Sequence, residues 1–312
     1  MDCEIEHQMS PRSPNQLPDY PSTRLPDSRA ASAVGREARL ELVFETRRDR
    51  TVLAHAYAEP PLRIGRTFDL DGAAYVIIVC SGPGVFAGDT LRQSIHVGRR
   101  ARVVLTSQSA LQVHPAPASP PGLSTLPAPP ARWHHDYRVD EEGELHCQWD
   151  PVIPFAGARL EQRFDLRIAE SSRLFWGDAV MAGRVSRGEA WQFVSLAHEL
   201  RLRVGPALAY LERYTLAPRD RAIQRPWMCG VAPYLATTLV HHERALPETA
   251  DALHREMAEV GGVESAVDLL APRLLLARFL AGNGAPFGRA RASYRTAALR
   301  SIFGGAELVG RK

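Results

Sequence analysis

The sequence predicts a mainly β protein. Many short, mostly antiparallel strands are expected in a layered or helical β arrangement, with a small α-helical part at the C-terminal end. Apolar and polar residues alternate with a period of two through most of the chain, whereas helical spacing begins only near residue 247. Glycine and aspartate interrupt the strands at short intervals. No regular alternation of strands and helices is present, which argues against a doubly wound enzyme.

The strands follow from this periodicity. Residues 38–46 place Leu40, Leu42 and Phe44 on one face, and residues 75–80 form a continuous apolar run typical of a strand buried on both faces. Further strands are expected over 62–70, 91–97, 101–106, 133–139, 144–149, 159–168, 173–180, 190–196 and 199–204.

Helices are expected only near the end of the chain. Residues 247–259 and 289–302 space their apolar side chains as amphipathic helices do. Residues 264–281 are also predicted as a helix, which Pro272 should kink or divide.

The composition suggests three regions. Residues 1–36 are rich in proline and poor in apolar side chains, which predicts a disordered tail. Residues 37–230 should form the β-rich body, with a proline-rich surface loop at 115–130. Residues 231–312 should form a helical C-terminal part packed on the same domain.

Charge and residue usage exclude several classes of function. The formal net charge of +3 is too diffuse to indicate nucleic-acid binding. The only lysine is Lys312, which excludes a Walker A loop and a Schiff-base lysine inside the chain. No apolar stretch is long enough for a membrane span, no secretory signal is recognised, and the four cysteines form no C-x-x-C pair. A cytoplasmic protein is expected.

The glycine-rich segment 81–89 is the strongest local motif. A phosphate-binding loop would require a helix immediately after it, but the following residues alternate as strands do. A tight connection between strands, with Gly84 and Gly88 in conformations that glycine permits, is the favoured interpretation. Asp89 would then cap the turn.

Three other segments carry polar residues in unusual places. Residues 105–114 put Gln108 and Ser109 on a strand and end at His114, a pattern that fits either a water-lined interior or an exposed edge. Residues 149–158 form a kinked connection that includes Gly157. Residues 183–189 contain Gly183, Gly188 and Glu189, and Glu189 with Asp89 forms a pair of candidate carboxylates. One alternative is therefore a β-rich hydrolase or glycosidase that uses Asp89 and Glu189.

The histidines do not predict a tight metal site. The neighbouring pairs at 134–135 and 241–242 would point to opposite faces of a strand, so neither pair could chelate an ion. Weak, transient binding by isolated histidines and carboxylates stays open.

The four motifs, taken in order, resemble the urease accessory protein family UreD, also called UreH. They are Gly84–Asp89, Thr106–Val113, Asp150–Arg159 and Gly183–Glu189, and the resemblance covers about residues 38–215. No single motif is specific, but their order and spacing together are.

The resemblance implies a non-enzymatic chaperone that scaffolds an accessory complex on apo-urease and helps pass nickel to its active site. The implied partners are the urease apoprotein and UreF-like and UreG-like proteins, with no nucleic acid and no membrane. No tightly bound cofactor is implied, only nickel in transit along Asp89, Glu189 and His114. Polar or structural roles along the route are implied for Gly84, Gly88, Gln108, Ser109, Gly157, Gly183 and Gly188. The remaining alternative is a β-rich interaction module of unrelated purpose.

Overall fold

The described part of the chain forms two β-sheets, with two α-helices packed on the larger one. A computed structural model describes residues 35–116, 128–226 and 228–305. The strands are β1 (Glu37–Arg47), β2 (Arg50–Ala58), β3 (Leu62–Ile64), β4 (Phe68–Leu70), β5 (Ala73–Cys80), β6 (Thr90–Val97), β7 (Arg102–Ser107), β8 (Leu111–Val113), β9 (Ala131–Val139), β10 (Glu144–Gln148), β11 (Val152–Pro154), β12 (Arg159–Ile168), β13 (Arg173–Met181), β14 (Ser195–Val204), β15 (Ala207–Leu216), β16 (Tyr234–His241), β17 (Val263–Ala271) and β18 (Leu274–Ala281). The helices are α1 (Pro247–Ala258) and α2 (Gly284–Ser301). The predicted mainly β class with a C-terminal helix is confirmed.

The two sheets differ in size. In the described part of the chain, the smaller sheet has seven strands in the order β15-β14-β12-β9-β6-β1-β2. The larger has eleven, with the main order β17-β18-β16-β13-β10-β7-β5-β3 and with β4, β8 and β11 attached at the side.

Strand direction corrects one part of the prediction. The strands are not mostly antiparallel, because β6, β9, β12 and β14 pair in parallel in the smaller sheet, as do β5, β7, β10 and β13 in the larger. From β5 to β14 the chain coils back and forth between the sheets, which is a helical β arrangement. A parallel pair needs a crossover connection, and here a strand of the opposite sheet supplies it in place of a helix. Hydrophobic periodicity identifies strands but not their partners.

The two larger hydrophobic cores of the described residues hold the layers together. The main core lies between the sheets and contains large, fully buried side chains such as Phe44, Tyr137, Phe164 and Trp176. The second core lies where α1 and α2 cover the outer face of the larger sheet, and Phe279 and Tyr294 are among its largest members. Neither helix in the described residues combines the length and apolarity that a membrane crossing needs.

The predicted helix over 264–281 is wrong. Residues 263–281 form the antiparallel strands β17 and β18, joined by a turn at Pro272 and Arg273, and Arg273 adopts a φ of 69°. The second core covers the outer face of β18 and the main core its inner face, so its apolar residues run continuously and do not alternate. Such a run cannot be distinguished from a buried helix by periodicity. The other two predicted helices are present as α1 and α2.

Several boundaries also differ from the prediction. The strand expected at 190–196 begins only at Ser195, because Trp191 has a φ of 63° in a turn. Strands β2 and β15 were missed since both are edge strands with mostly exposed side chains, so they lack a clear alternation. The predicted tail, apart from Gly35 and Arg36, and residues 117–127 of the predicted proline-rich loop lie outside the described residues.

Candidate functional site

Three of the four motifs, together with His114 directly after the fourth, come together in one cluster of stacked side chains. The ring of His114 stacks on Phe86 at a centroid distance of 4.7 Å and meets the ring of Phe155 edge-on, also at 4.7 Å. The guanidinium of Arg184 lies 4.2 Å from the ring centre of Phe155 and is paired with Glu189. We call Phe86, His114, Phe155, Arg184 and Glu189 the motif cluster. It takes one or two residues from each of the motifs Gly84–Asp89, Asp150–Arg159 and Gly183–Glu189, with His114 directly after Thr106–Val113.

Asp89 is a buried carboxylate held by backbone donors. It is 5% exposed, and its two oxygens accept hydrogen bonds from the backbone N–H groups of Arg36 (2.8 Å) and Phe86 (2.9 Å). Its own backbone carbonyl accepts from the N–H of Arg132 at 2.7 Å. As predicted, Asp89 caps the turn that ends the glycine-rich segment, and it also fixes the entry of β1 beside β6.

Replacing Asp89 with alanine is expected to lower the free energy of unfolding by about 1–3 kcal/mol, because two partly buried backbone N–H donors lose their acceptor. Urea denaturation of the full chain measures this loss. The matched control is Asp251→Ala, since Asp251 is exposed on α1 and its side chain makes no hydrogen bond or ion pair within the described residues. Equal stability of the two variants would contradict a structural role for the Asp89 carboxylate.

Glu189 is engaged by Arg184. Both carboxylate oxygens accept from the guanidinium, one of them at 2.6 Å from Nε. This hydrogen bond is the main reason that the pKa of Glu189 is lowered, and a backbone hydrogen bond from Ala156 acts in the same direction. Glu189 is therefore an ionised side chain that links the motif Gly183–Glu189, through Arg184, to the motif Asp150–Arg159, through the backbone of Ala156.

His114 has a fixed orientation as well. Its Nε2 lies 2.7 Å from the carbonyl oxygen of Pro83. A carbonyl oxygen can only accept, so Nε2 carries the hydrogen and only Nδ1 has a lone pair for another ligand.

The predicted glycines serve close backbone contacts and turns. A Cβ atom on Gly84 would overlap the carbonyl oxygen of Gln112, and one on Gly183 would overlap that of Glu189. The other three, Gly88, Gly157 and Gly188, adopt positive φ angles of 85°, 79° and 72°.

A cavity begins beside the motif cluster and extends between the two sheets. Exposed residues at its outer end include Pro83 and Ser109, and buried residues at its inner end include His135, Gln162 and Asp178. Its volume, counted as the space open to the centres of water molecules, is about 70 Å³, which is enough for several waters. We call it the inner cavity. Of the two predicted polar residues, Ser109 lines it, whereas Gln108 is exposed and is not among its lining residues.

The wall of the inner cavity is unusually polar for a space between two sheets. Within the described residues, Nε2 of His135, Nε1 of Trp133 and Oε1 of Gln162 are buried without a hydrogen-bond partner. Buried polar atoms are nearly always satisfied, so water or another polar guest is expected to contact them. Burial lowers the pKa of His135 far below its usual value, which keeps this imidazole neutral.

Among the carboxyl groups that line the inner cavity, Asp178 has the most strongly shifted pKa. Burial, followed by repulsion from Glu212, raises its pKa to about 8. The Nδ1 atom of His198 lies 3.7 Å from a carboxyl oxygen of Asp178, and burial lowers the pKa of His198 to about 4. Both groups are therefore neutral near pH 7.

Asp178 also lines a second cavity, of about 250 Å³, on its other side. The second cavity contains Glu212, whose carboxylate accepts from Arg278 at 2.7 Å, and it also contains Tyr214, Cys229 and Thr237. Burial raises the pKa of Glu212. The two cavities therefore share one buried carboxyl group.

Asp178, Gln162 and Asp150 line the inner cavity but were not predicted as site residues from the sequence. The signal was present for two of them. Asp178 is the only acid in the otherwise apolar stretch 174–181, and Gln162 occupies an inward position between Leu160 and Phe164. Asp150 receives a hydrogen bond from the hydroxyl of Ser107 at 2.9 Å, a contact across 43 residues that periodicity does not reveal.

Asp89, Glu189 and His114 share one neighbourhood but do not converge on a point. No group of three or more His, Cys, Asp or Glu side chains able to hold a metal ion occurs among residues 35–116, 128–226 and 228–305. Each of the three is bound to a partner of its own. A cation would have to displace those partners to be held there.

Fold and site together describe a two-sheet β protein with a partly polar cavity between its sheets, whose candidate carboxylates Asp89 and Glu189 are engaged in structural hydrogen bonds. Residues 36–311 match the family model of the UreD urease accessory protein. The chain belongs to the UreD urease accessory protein family.

Curated relatives support the family. Urease accessory protein UreD of Sorangium cellulosum is 32% identical over 215 residues, which cover 69% of this chain and 65% of that protein. UreD 2 of Streptomyces griseus is 29% identical over 76% of this chain and 80% of its own length. UreD of Haloarcula marismortui is 31% identical over 75% and 76%, respectively. The chain thus spans slightly less than two thirds of the Sorangium relative and more of the other two.

Membership of the family decides between the earlier alternatives. UreD accessory proteins are non-catalytic chaperones, so the prediction that the chain is not an enzyme is confirmed. The hydrolase or glycosidase alternative and the unrelated interaction module are wrong.

Proposed function

We propose that the chain scaffolds the accessory proteins of urease maturation on apo-urease and helps to pass nickel to the urease active site. The proposed partners are the urease apoprotein and UreF-like and UreG-like proteins, and the proposed compartment is the cytoplasm. Nickel is cargo here, and the chain needs no tightly bound cofactor of its own.

The observation that carries this proposal is the position of Asp178 between the inner cavity and the second cavity. An ion that crosses the protein interior needs polar groups to replace part of its hydration shell. Asp178, Glu212 and the unpartnered atoms of His135 and Gln162 supply oxygen and nitrogen contacts of that kind. They are spread along a path and do not form a closed site, so an ion would be held loosely and could leave.

Asp89, Glu189 and His114 belong to the outer end of the proposed route. The motif cluster lies beside the exposed end of the inner cavity, since His114 binds Pro83 and Pro83 lines that cavity. In this proposal an arriving ion competes with the present partners of these side chains. Such competition would keep their affinity for nickel low.

The test is nickel insertion by a reconstituted system of this chain, cognate apo-urease and the UreF-like and UreG-like proteins. Asp178→Ala is expected to lower the nickel bound per urease roughly tenfold, the scale of lost metal contacts, while complex formation stays intact. Asp178→Asn keeps the size and polarity of the side chain and separates loss of the carboxylate from a change in packing.

Asp251→Ala, on the exposed face of α1, is the control and should insert nickel as the wild type does. Nickel is read by elemental analysis of purified urease, and assembly by size-exclusion chromatography of the same samples. Full nickel content with both Asp178 variants would refute the interior route. Failure of the wild-type chain to bind apo-urease and the UreF-like protein would refute the scaffold.

A further inference from the structure

The outer face of the seven-stranded sheet carries a row of basic side chains that neither the inner cavity nor the motif cluster explains. Strands β1, β6, β9 and β12 place Arg39, Arg92, His134 and Arg163 side by side in register. We call these four residues the basic row. Like charges directly opposite one another on neighbouring strands destabilise a sheet, so the fold keeps this row at a cost.

The charges of the basic row are balanced only at its two ends. Arg39 lies 3.5 Å from a carboxylate oxygen of Glu59, and Arg163 lies 2.9 Å from one of Asp165. In the middle, Arg92 and His134 have no ion pair with any described residue. The pKa of His134 is lowered, first by partial burial and then by the charges of Arg92 and Arg163. Arg92 is therefore the charge in this row that no carboxylate of the described residues neutralises.

An acidic row runs beside the basic row, two residues further along the same strands. It consists of Glu41, Asp136 and Asp165, and Asp136 is paired with Arg167 at 2.8 Å. Both rows line a shallow depression of about 440 Å³ in the sheet face.

This banded pattern limits the type of ligand. A nucleic-acid backbone or another uniform polyanion would gain from the basic row and be repelled by the acidic row. A protein surface can place carboxylates over the first row and basic groups over the second. Interstrand spacing of roughly 4.8 Å puts the ends of the basic row about 14 Å apart, which fits a few carboxylates on one helix or strand of a partner.

We propose that the outer face of the seven-stranded sheet docks a protein partner through an acidic patch that meets Arg92 and His134. His135 lines both the inner cavity and this depression, but Arg92 and Arg163, on which the docking proposal rests, line only the depression. The docking proposal therefore stands whether or not nickel passes through the interior.

The experiment measures binding of the full chain to immobilised apo-urease, UreF-like protein and UreG-like protein, each alone and assembled. Arg92→Glu is expected to raise the Kd for at least one of them tenfold or more at low ionic strength. Wild-type affinity should fall as salt increases, and the variant should show a weaker salt dependence. Arg92→Lys should retain most of the binding.

Arg289→Glu is the matched control because Arg289 is equally exposed, has no ion pair among the described residues and lies on α2 beyond the other sheet. It makes the same change in net charge and should bind normally. Unchanged binding of Arg92→Glu to every protein would overturn the proposal. Arg92-dependent binding of a short DNA duplex that competes with those proteins would also overturn it, in favour of a general polyanion site. Normal binding by the Asp178 variants keeps this result distinct from the nickel test.

Discussion

Gly84→Ala is expected to destabilise the chain by roughly 3 kcal/mol or more, in the range reserved for severe steric conflict. Gly84 has a φ of 123°, and an added Cβ would overlap the carbonyl oxygen of Gln112. That carbonyl cannot retreat without loss, because it accepts the N–H of Val85 at 2.9 Å while the carbonyl of Val85 accepts the N–H of His114 at 2.8 Å. The glycine-rich segment is thus joined to the strand that precedes His114 through a contact that has no room for a side chain.

Gly82→Ala separates the two causes of the effect. Gly82 also has a positive φ, of 96°, but no atom lies within 4 Å of the position its Cβ would occupy. Only the conformational penalty applies there, about 1–2 kcal/mol. Urea denaturation of both variants measures the difference. If Gly84→Ala lowered the free energy of unfolding no more than Gly82→Ala does, this result would contradict a steric conflict between the added Cβ and Gln112.

The same contact shows why parts of the site were predictable from sequence. Gly84, Gly88 and Asp89 were predicted as a tight connection with a capping carboxylate, and the structure has a positive φ at both glycines and two backbone donors on Asp89. These are local requirements of the backbone. A glycine at a positive φ and an acid at the end of a turn leave a pattern within a few residues.

The residues that line the inner cavity leave a much weaker pattern in the amino-acid sequence. Asp178 faces His198 across the two sheets, and the inner cavity lies between β13 of one sheet and β9 and β12 of the other. Strand partners are set by packing over long sequence distances, which alternation does not encode. For the same reason the parallel pairing was missed, and β18, with apolar residues on both faces, was mistaken for part of a helix.

The part of the folding stability that depends on Asp178 is expected to fall as the pH rises toward 8, and Asp178→Asn is expected to remove that fall. The pKa of Asp178 is about 8 in the folded protein and about 3.8 in the unfolded chain. Between these values the folded state binds a proton that the unfolded state has released. Stability linked to Asp178 is therefore complete below pH 4 and is lost at up to about 1.4 kcal/mol per pH unit toward pH 8. The folded state retains this proton because burial, and then the nearby charge of Glu212, disfavour the ionised carboxylate of Asp178.

The difference in unfolding free energy between the wild type and Asp178→Asn isolates the contribution of the Asp178 carboxyl group. Burial lowers the pKa values of His198 and His242 to about 4, so both histidines make stability rise with pH up to about 6.5. Both are present in the wild type and in Asp178→Asn, and their contribution cancels in the comparison. Asparagine keeps an acceptor for the backbone N–H of Thr237 but has no proton to release. Urea unfolding from pH 5 to 8 should show the variant gaining stability over the wild type with each step in pH, whereas parallel curves would mean that Asp178 is already ionised in the folded protein.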